Sequence, residues 1–149
     1  MKRWSCLFFG SGSKSPERDV LAKVRFKDKI LSKVYDLGFL YSSLRKSSLL
    51  DAESLNIEAA ATLDNLLYLF NREHNLLMIY HLPEILGFLE GQNDVPLPKI
   101  YQIILPLING ISAKFSGASP LRVITNWRLP LLSKIRPTPT MMAKSLEVI

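Results

Sequence analysis

Two apolar runs, residues 76–89 and 100–113, set the first limit on how this chain folds. Each is about 14 residues long and is interrupted by a proline, Pro83 or Pro106. A membrane-spanning helix needs about 20 consecutive apolar residues, so both runs are too short to cross a bilayer. The sequence therefore predicts that both runs are core segments of a globular protein.

The length of 149 residues is enough to enclose such a core without disulfides or a structural metal. The single cysteine, Cys6, excludes an intramolecular disulfide and a cysteine-based zinc site. The sequence contains no nucleophile elbow, no zinc-protease motif and no phosphate-binding loop. We therefore expect a protein that is not an enzyme and that needs no cofactor.

The clearest periodic pattern is an apolar stripe with steps of 4, 3, 4 and 3 residues. This spacing predicts one face of a helix. The helix would begin at Pro16, with Ser15 as its N-cap, and would end near Arg45. We expect the stripe to act either as a self-association surface or as part of the core. Its residues are Ile30, Val34, Leu37, Tyr41 and Leu44.

Further helices are predicted over residues 49–70, 76–89 and 99–115, and a short one ends near Pro130. The run LLMIYHL within residues 76–89 also suits a buried strand. Only RVITNW offers comparable strand character, so a sheet would lack partners and we favour a helix. The predicted fold class is all-α, an irregular small helical bundle of about five helices.

The predicted domain boundaries follow changes in composition. Residues 1–15 are expected to form a mobile aromatic and basic N-terminal arm. Residues 16–130 would form the helical domain, with a linker near residues 91–98. Residues 131–149 would form a basic tail that contains proline and threonine.

Charge is distributed unevenly along the chain. Residues 1–50 contain eleven Lys or Arg and four Asp or Glu, whereas residues 51–98 contain one basic and eight acidic residues. Residues 99–149 contain seven basic residues and one acidic residue. This pattern has two interpretations. The blocks neutralise one another inside the fold, or the basic blocks bind an anionic partner, either phospholipid or nucleic acid.

The N-terminal segment combines aromatic and aliphatic residues with cations, as interfacial membrane anchors do. S-acylation of Cys6 would strengthen such an anchor. The alternatives are that the segment folds back over an apolar groove or binds a protein partner. The predicted anchor residues are Trp4, Cys6, Leu7, Phe8 and Phe9. The predicted contacts to an anionic surface are Lys2, Arg3, Lys14, Lys23, Lys27, Lys29 and Lys33.

These observations predict a helical interaction protein of the matrix, accessory or adaptor type. We expect it to be cytoplasmic and partly bound to a membrane face through its N-terminal arm. Its expected partners are an anionic membrane surface, an unidentified protein and a second copy of itself. One alternative is a non-specific nucleic-acid-binding protein that uses the basic end blocks. Another is an adaptor or chaperone-like protein that binds a partner helix.

Overall fold

The computed structural model describes residues 4–26, 30–50 and 54–119. Its described elements are mainly β-strands, arranged in three antiparallel sheets. The strands are β1 (Trp4–Phe9), β2 (Val20–Phe26), β3 (Ile30–Asp36), β4 (Ile57–Leu63), β5 (Leu66–Asn71), β6 (Leu76–His81), β7 (Lys99–Gln102), β8 (Leu107–Ile108) and β9 (Ile111–Ser112). The helices are α1 (Gly38–Arg45), α2 (Leu82–Leu89) and a 3₁₀ turn (Glu73–Asn75).

The strands pair in the order in which they occur along the chain. We call β1-β2-β3 the N-terminal sheet and β4-β5-β6-β7 the central sheet, and β8 and β9 form a separate hairpin. The β4–β5 turn has Asp64 and Asn65 at φ 48° and 63°. The β8–β9 turn has Asn109 and Gly110 at φ 52° and 77°. Two successive left-handed residues match the twist of a two-residue hairpin, so these turns specify antiparallel pairing.

The predicted all-α bundle is wrong. The predicted first helix is instead β2, β3 and α1, and the segment from 49 to 70 contains the β4–β5 hairpin. The segment from 76 to 89 contains β6 followed by α2, and the segment from 99 to 115 contains β7, β8 and β9. The predicted mobile arm contributes β1, whose six residues all pair with β2. The predicted last helix and the basic tail lie outside the described residues.

The main core lies where α1 and α2 pack against the two larger sheets. The N-terminal sheet contributes Leu21 and Tyr35, and β5 contributes Leu67 and Leu69. The opposite face of the central sheet packs against residues 103–115 through a second apolar cluster. In that cluster the rings of Phe70 and Phe115 meet edge to face, with centroids 5.3 Å apart. The central sheet is therefore covered by apolar contacts on both faces.

Candidate docking surface on the N-terminal sheet

The register of the N-terminal sheet brings apolar residues from three strands to one face. Phe8 of β1 lies opposite Ala22 of β2, which lies opposite Val34 of β3. Side chains directly opposite each other in an antiparallel sheet point to the same side, and this side alternates along each strand. We call the face that carries Val34 the outer face. Its residues with described side chains are Cys6, Phe8, Val20, Ala22, Val24, Phe26, Ser32, Val34 and Asp36.

Most of the outer face is exposed although it is largely apolar. The exposed fractions of Phe8, Phe26 and Val34 are 57%, 44% and 66%. Leu21 and Tyr35 belong to the opposite side of the same sheet, and both are buried in the main core. An antiparallel sheet with one face in water normally places polar residues on that face. An apolar exposed face on a sheet already packed on its other side is typical of an interaction surface.

The loop that joins β1 to β2 is fixed to α1. Arg45 donates hydrogen bonds to both carboxylate oxygens of Asp19, at 3.0 and 2.9 Å, and to the Gly12 carbonyl at 2.8 Å. Burial alone would raise the pKa of Asp19. Hydrogen bonds from Arg45 and Ser15, together with the Arg45 charge, hold that pKa below its ordinary value. These contacts hold β1 and β2 in place, so the outer face is supported by a buried polar cluster.

The inner side of the sheet carries two lysines that were predicted to contact an anionic surface from a helix. Lys23 and Lys33 are instead register partners on β2 and β3. Lys33 lies 3.0 Å from Glu90, which also accepts a hydrogen bond from Tyr35. These bonds lower the pKa of the Glu90 carboxyl, and the carboxylate raises the pKa of the Lys33 ammonium. The two lysines therefore lie on strands and not on the predicted helix, and Lys33 ties β3 to the residue that follows α2.

The five predicted anchor residues divide between the two sides of β1. Cys6 and Phe8 are exposed on the outer face. Leu7 and Phe9 are half-buried on the inner side, where they pack against the main core. Trp4 begins β1, and its side chain lies outside the described part of the structure.

The predicted cationic contacts are only partly described. Lys14 is exposed in the loop between β1 and β2. Lys2, Arg3, Lys27 and Lys29 lie outside the described residues.

The predicted self-association stripe also divides. Ile30 and Val34 belong to β3 and to its outer-face register, and the side chain of Ile30 lies outside the described part. Leu37 directly precedes α1, Tyr41 and Leu44 belong to it, and all three are buried in the main core. The structure therefore places Val34 at the surface and the last three residues of the stripe in the core.

Sequence reasoning missed the contributions of Val20, Val24 and Phe26 to the outer face. Their signal is the alternation in VLAKVRF, which places Val, Ala, Val and Phe at every second position. The helix predicted from Pro16 to near Arg45 included these residues, so this alternation was not used. A period of two over seven residues predicts a strand.

A second surface feature is an open cleft of about 360 Å³ beside the 3₁₀ turn, lined partly by Arg72, His74 and Lys114. Arg72 pairs with Glu58 at 3.4 Å, and Lys114 pairs with Glu73 at 2.6 Å. Both cations are thus neutralised by neighbouring acids, and the outer face is the stronger candidate site. Within the described residues, no group of His, Cys, Asp and Glu side chains is arranged to hold a metal ion. No described helix has the length and apolar character needed to cross a membrane.

Comparison of the sequence with curated proteins and with solved structures finds no match. The model of one protein family matches residues 2–126, which include all three described sheets. The chain therefore belongs to that family, which is described as "Family of unknown function (DUF6929)".

Proposed function

We propose that this chain is a peripheral membrane protein that binds an anionic lipid surface through the outer face of the N-terminal sheet. The observation that carries the proposal is the exposure of Phe8, Phe26 and Val34 on one face of a sheet whose opposite side is packed. Apolar side chains that enter the headgroup region bind a bilayer in proportion to the area they bury. The role is binding, and no catalytic step is required.

Charge supports an anionic lipid surface as the partner. Residues 1–50 contain eleven basic residues, of which Lys23 and Lys33 lie on the inner side of the sheet and Arg45 is paired with Asp19. The support therefore comes from cations near the ends of the strands. In the sequence, Lys2 and Arg3 directly precede β1, and Lys27 and Lys29 lie between β2 and β3. Each Lys or Arg near an anionic bilayer contributes about 1 kcal/mol of attraction. The proposed location is the cytoplasmic face of a membrane, where anionic lipids are concentrated.

Nucleic-acid binding receives less support from the same residues. Lys33 is paired with Glu90 and lies on the inner side of the sheet. A phosphate backbone is bound by cations that are free to replace its counterions. The exposed aromatic and aliphatic side chains of the outer face suit a bilayer better than a nucleic-acid backbone.

The test is flotation of the full chain with liposomes that contain phosphatidylserine and with neutral phosphatidylcholine liposomes. The variant Phe8→Ser/Phe26→Ser removes two aromatic rings from the outer face. The control, Phe39→Ser, makes the same chemical change at an exposed residue of α1. We expect the parent chain and Phe39→Ser to float with anionic liposomes. The double variant should remain in the bottom fraction. Equal flotation of all three proteins would contradict the proposal. A parent chain that does not float with anionic liposomes would also contradict it. Circular dichroism confirms that each variant is folded.

A further inference from the structure

Among the described residues, no strand pairs with the outer edge of β3. β3 is the last strand of the N-terminal sheet, and its backbone hydrogen bonds within the described residues go to β2. Ser32, Lys33, Val34 and Asp36 are all exposed. An unpaired edge presents a row of N–H and C=O groups that can pair with another strand.

The edges of β4 and β7 carry features that limit such pairing. β4 has a register shift between Ile57 and Ala59, and β7 is only four residues long. The segment after β1 is tied to β4, since Ser11 accepts a 2.7 Å hydrogen bond from the Ile57 amide. β3 is seven residues long, has no proline and keeps an uninterrupted register with β2. A long, regular edge of this kind is a site for strand addition.

We infer that β3 pairs antiparallel with β3 of a second copy of this chain, around a two-fold axis at Val34. An axis perpendicular to the sheet keeps both outer faces on the same side, as the alternation of side chains requires. In this register Val34 lies opposite its own copy, and Lys33 lies opposite Tyr35 of the other copy. Residues 32–36 of each strand overlap.

Charge favours this register over one with its axis at Lys33. An axis at Lys33 would place two ammonium groups directly opposite each other, which destabilises a strand pair. An axis at Val34 places each ammonium beside the aromatic ring of Tyr35. Within one copy, Lys33 already lies 4.5 Å from the centre of that ring. The axis at Val34 therefore avoids the repulsion between two ammonium groups and places each of them beside a ring that already lies next to a cation.

The pairing joins two N-terminal sheets into one six-stranded sheet with a continuous outer face. Pairing at the outer edge of β3 does not require membrane binding. If the outer face binds lipid as proposed above, the dimer presents two such faces side by side. The two binding events are then linked, and the overall affinity increases without any new type of contact.

The first test is the oligomeric state of the full chain without lipid, so that it is independent of the proposed membrane function. Light scattering coupled to size-exclusion chromatography should give about twice the monomer mass of 16.9 kDa at tens of micromolar. A monomer mass at this concentration would overturn the inference.

The second test is directed cross-linking in a Cys6→Ser background, which removes the exposed natural thiol. Val34→Cys and Ser32→Cys place one thiol each at exposed outer-face positions of the same strand. Facing residues in a strand pair have Cα atoms about 4.5–5.5 Å apart, within disulfide reach. The two copies of Ser32 would be displaced by four residues, about 13 Å, beyond disulfide reach.

We expect Val34→Cys to form a disulfide-linked dimer at least about tenfold faster than Ser32→Cys under mild oxidation. Non-reducing gel electrophoresis measures both rates. Equal rates, or faster cross-linking of Ser32→Cys, would overturn the proposed register. Circular dichroism of each reduced variant confirms that the comparison is between folded proteins.

Discussion

Arg45 and Asp19 form a bidentate ion pair that ties α1 to the loop between β1 and β2. Asp19 is buried and the Arg45 side chain is largely buried, so neither charge is well solvated by water. Arg45 also binds the Gly12 carbonyl, and it therefore holds two points of the same loop. The position of the N-terminal sheet relative to α1 depends on this contact.

Replacing Arg45 should therefore destabilise the protein strongly. Arg45→Met leaves the Asp19 carboxylate buried without its cation, and breaking a buried ion pair in this way costs about 3–5 kcal/mol. Lys46→Met is the control, because Lys46 is the exposed neighbouring cation. Its loss at the end of α1 should cost less than about 1 kcal/mol. Urea denaturation measures the free energy of unfolding of both variants. Equal losses would show that the ion pair has no special role.

The same pair predicts an acid-dependent loss of stability. The pKa of Asp19 is lower in the folded protein than in the unfolded chain, so its ionised form stabilises the fold. This contribution is complete above the ordinary aspartate pKa of about 3.9 and is lost as the pH falls through the lower folded value. We expect the difference in unfolding free energy between the parent chain and Asp19→Asn to be constant near neutral pH. It should shrink below pH ~4. A difference that does not change with pH would contradict the assignment.

The two fully buried tyrosines should respond differently to loss of their hydroxyl groups. Tyr41 donates a 2.6 Å hydrogen bond to the Gly10 carbonyl, and Tyr80 has a buried hydroxyl with no partner among the described residues. Tyr41→Phe should cost about 1–3 kcal/mol, because the Gly10 carbonyl loses its donor. Tyr80→Phe should be neutral or stabilising, since it removes a buried polar atom that makes no bond. Thermal denaturation of both variants tests the contrast, and a larger loss for Tyr80→Phe would contradict it.

Gly12 should not tolerate alanine. Its φ is +68°, and an added Cβ would lie 2.8 Å from Leu55 and 2.9 Å from Tyr41. Gly91 provides a matched control, because its φ is +74° but an added Cβ would meet nothing within 4 Å. Both variants bear the cost of a left-handed alanine, about 1 kcal/mol. Only Gly12→Ala adds overpacking, which costs about a further 1–3 kcal/mol. Equal unfolding free energies of the two variants would show that the loop moves to accept the methyl group.

The sequence pattern that failed most clearly is the stripe that includes Val34 and Leu37. Residues four apart lie on one face of a helix, but they also lie on one face of a strand, since four is a multiple of two. The step from Ile30 to Val34 therefore did not distinguish β3 from a helix. The later part of the stripe does lie on a helix, and α1 ends at Arg45 as predicted.

The central strands were missed for a different reason. The runs in β5 and β6 are apolar at nearly every position because the central sheet is covered on both faces. Such runs have neither the period of a helix nor that of a half-exposed strand. The turn residues were the better signal, because Asp64-Asn65 and Asn109-Gly110 are hairpin turns. Pro83, which interrupts the run from 76 to 89, lies in the first turn of α2.

The candidate site was predicted in part. Phe8 was singled out by its place in an aromatic and cationic segment, and the structure exposes it. Phe26 was not singled out, because its role depends on a register between β1 and β2 that no local pattern specifies. Residues that meet only through strand pairing are assembled by the fold.

The order of the strands has a consequence for how the chain folds. Every strand pair in the described residues joins strands that are consecutive in the sequence. Each pairing therefore closes a short segment of chain and costs little loop-closure entropy. Proteins whose contacts are local in sequence fold faster than β-proteins with long-range pairings. The hairpins can form early and independently, and the Asp19–Arg45 pair, which spans 26 residues, then joins the N-terminal sheet to α1.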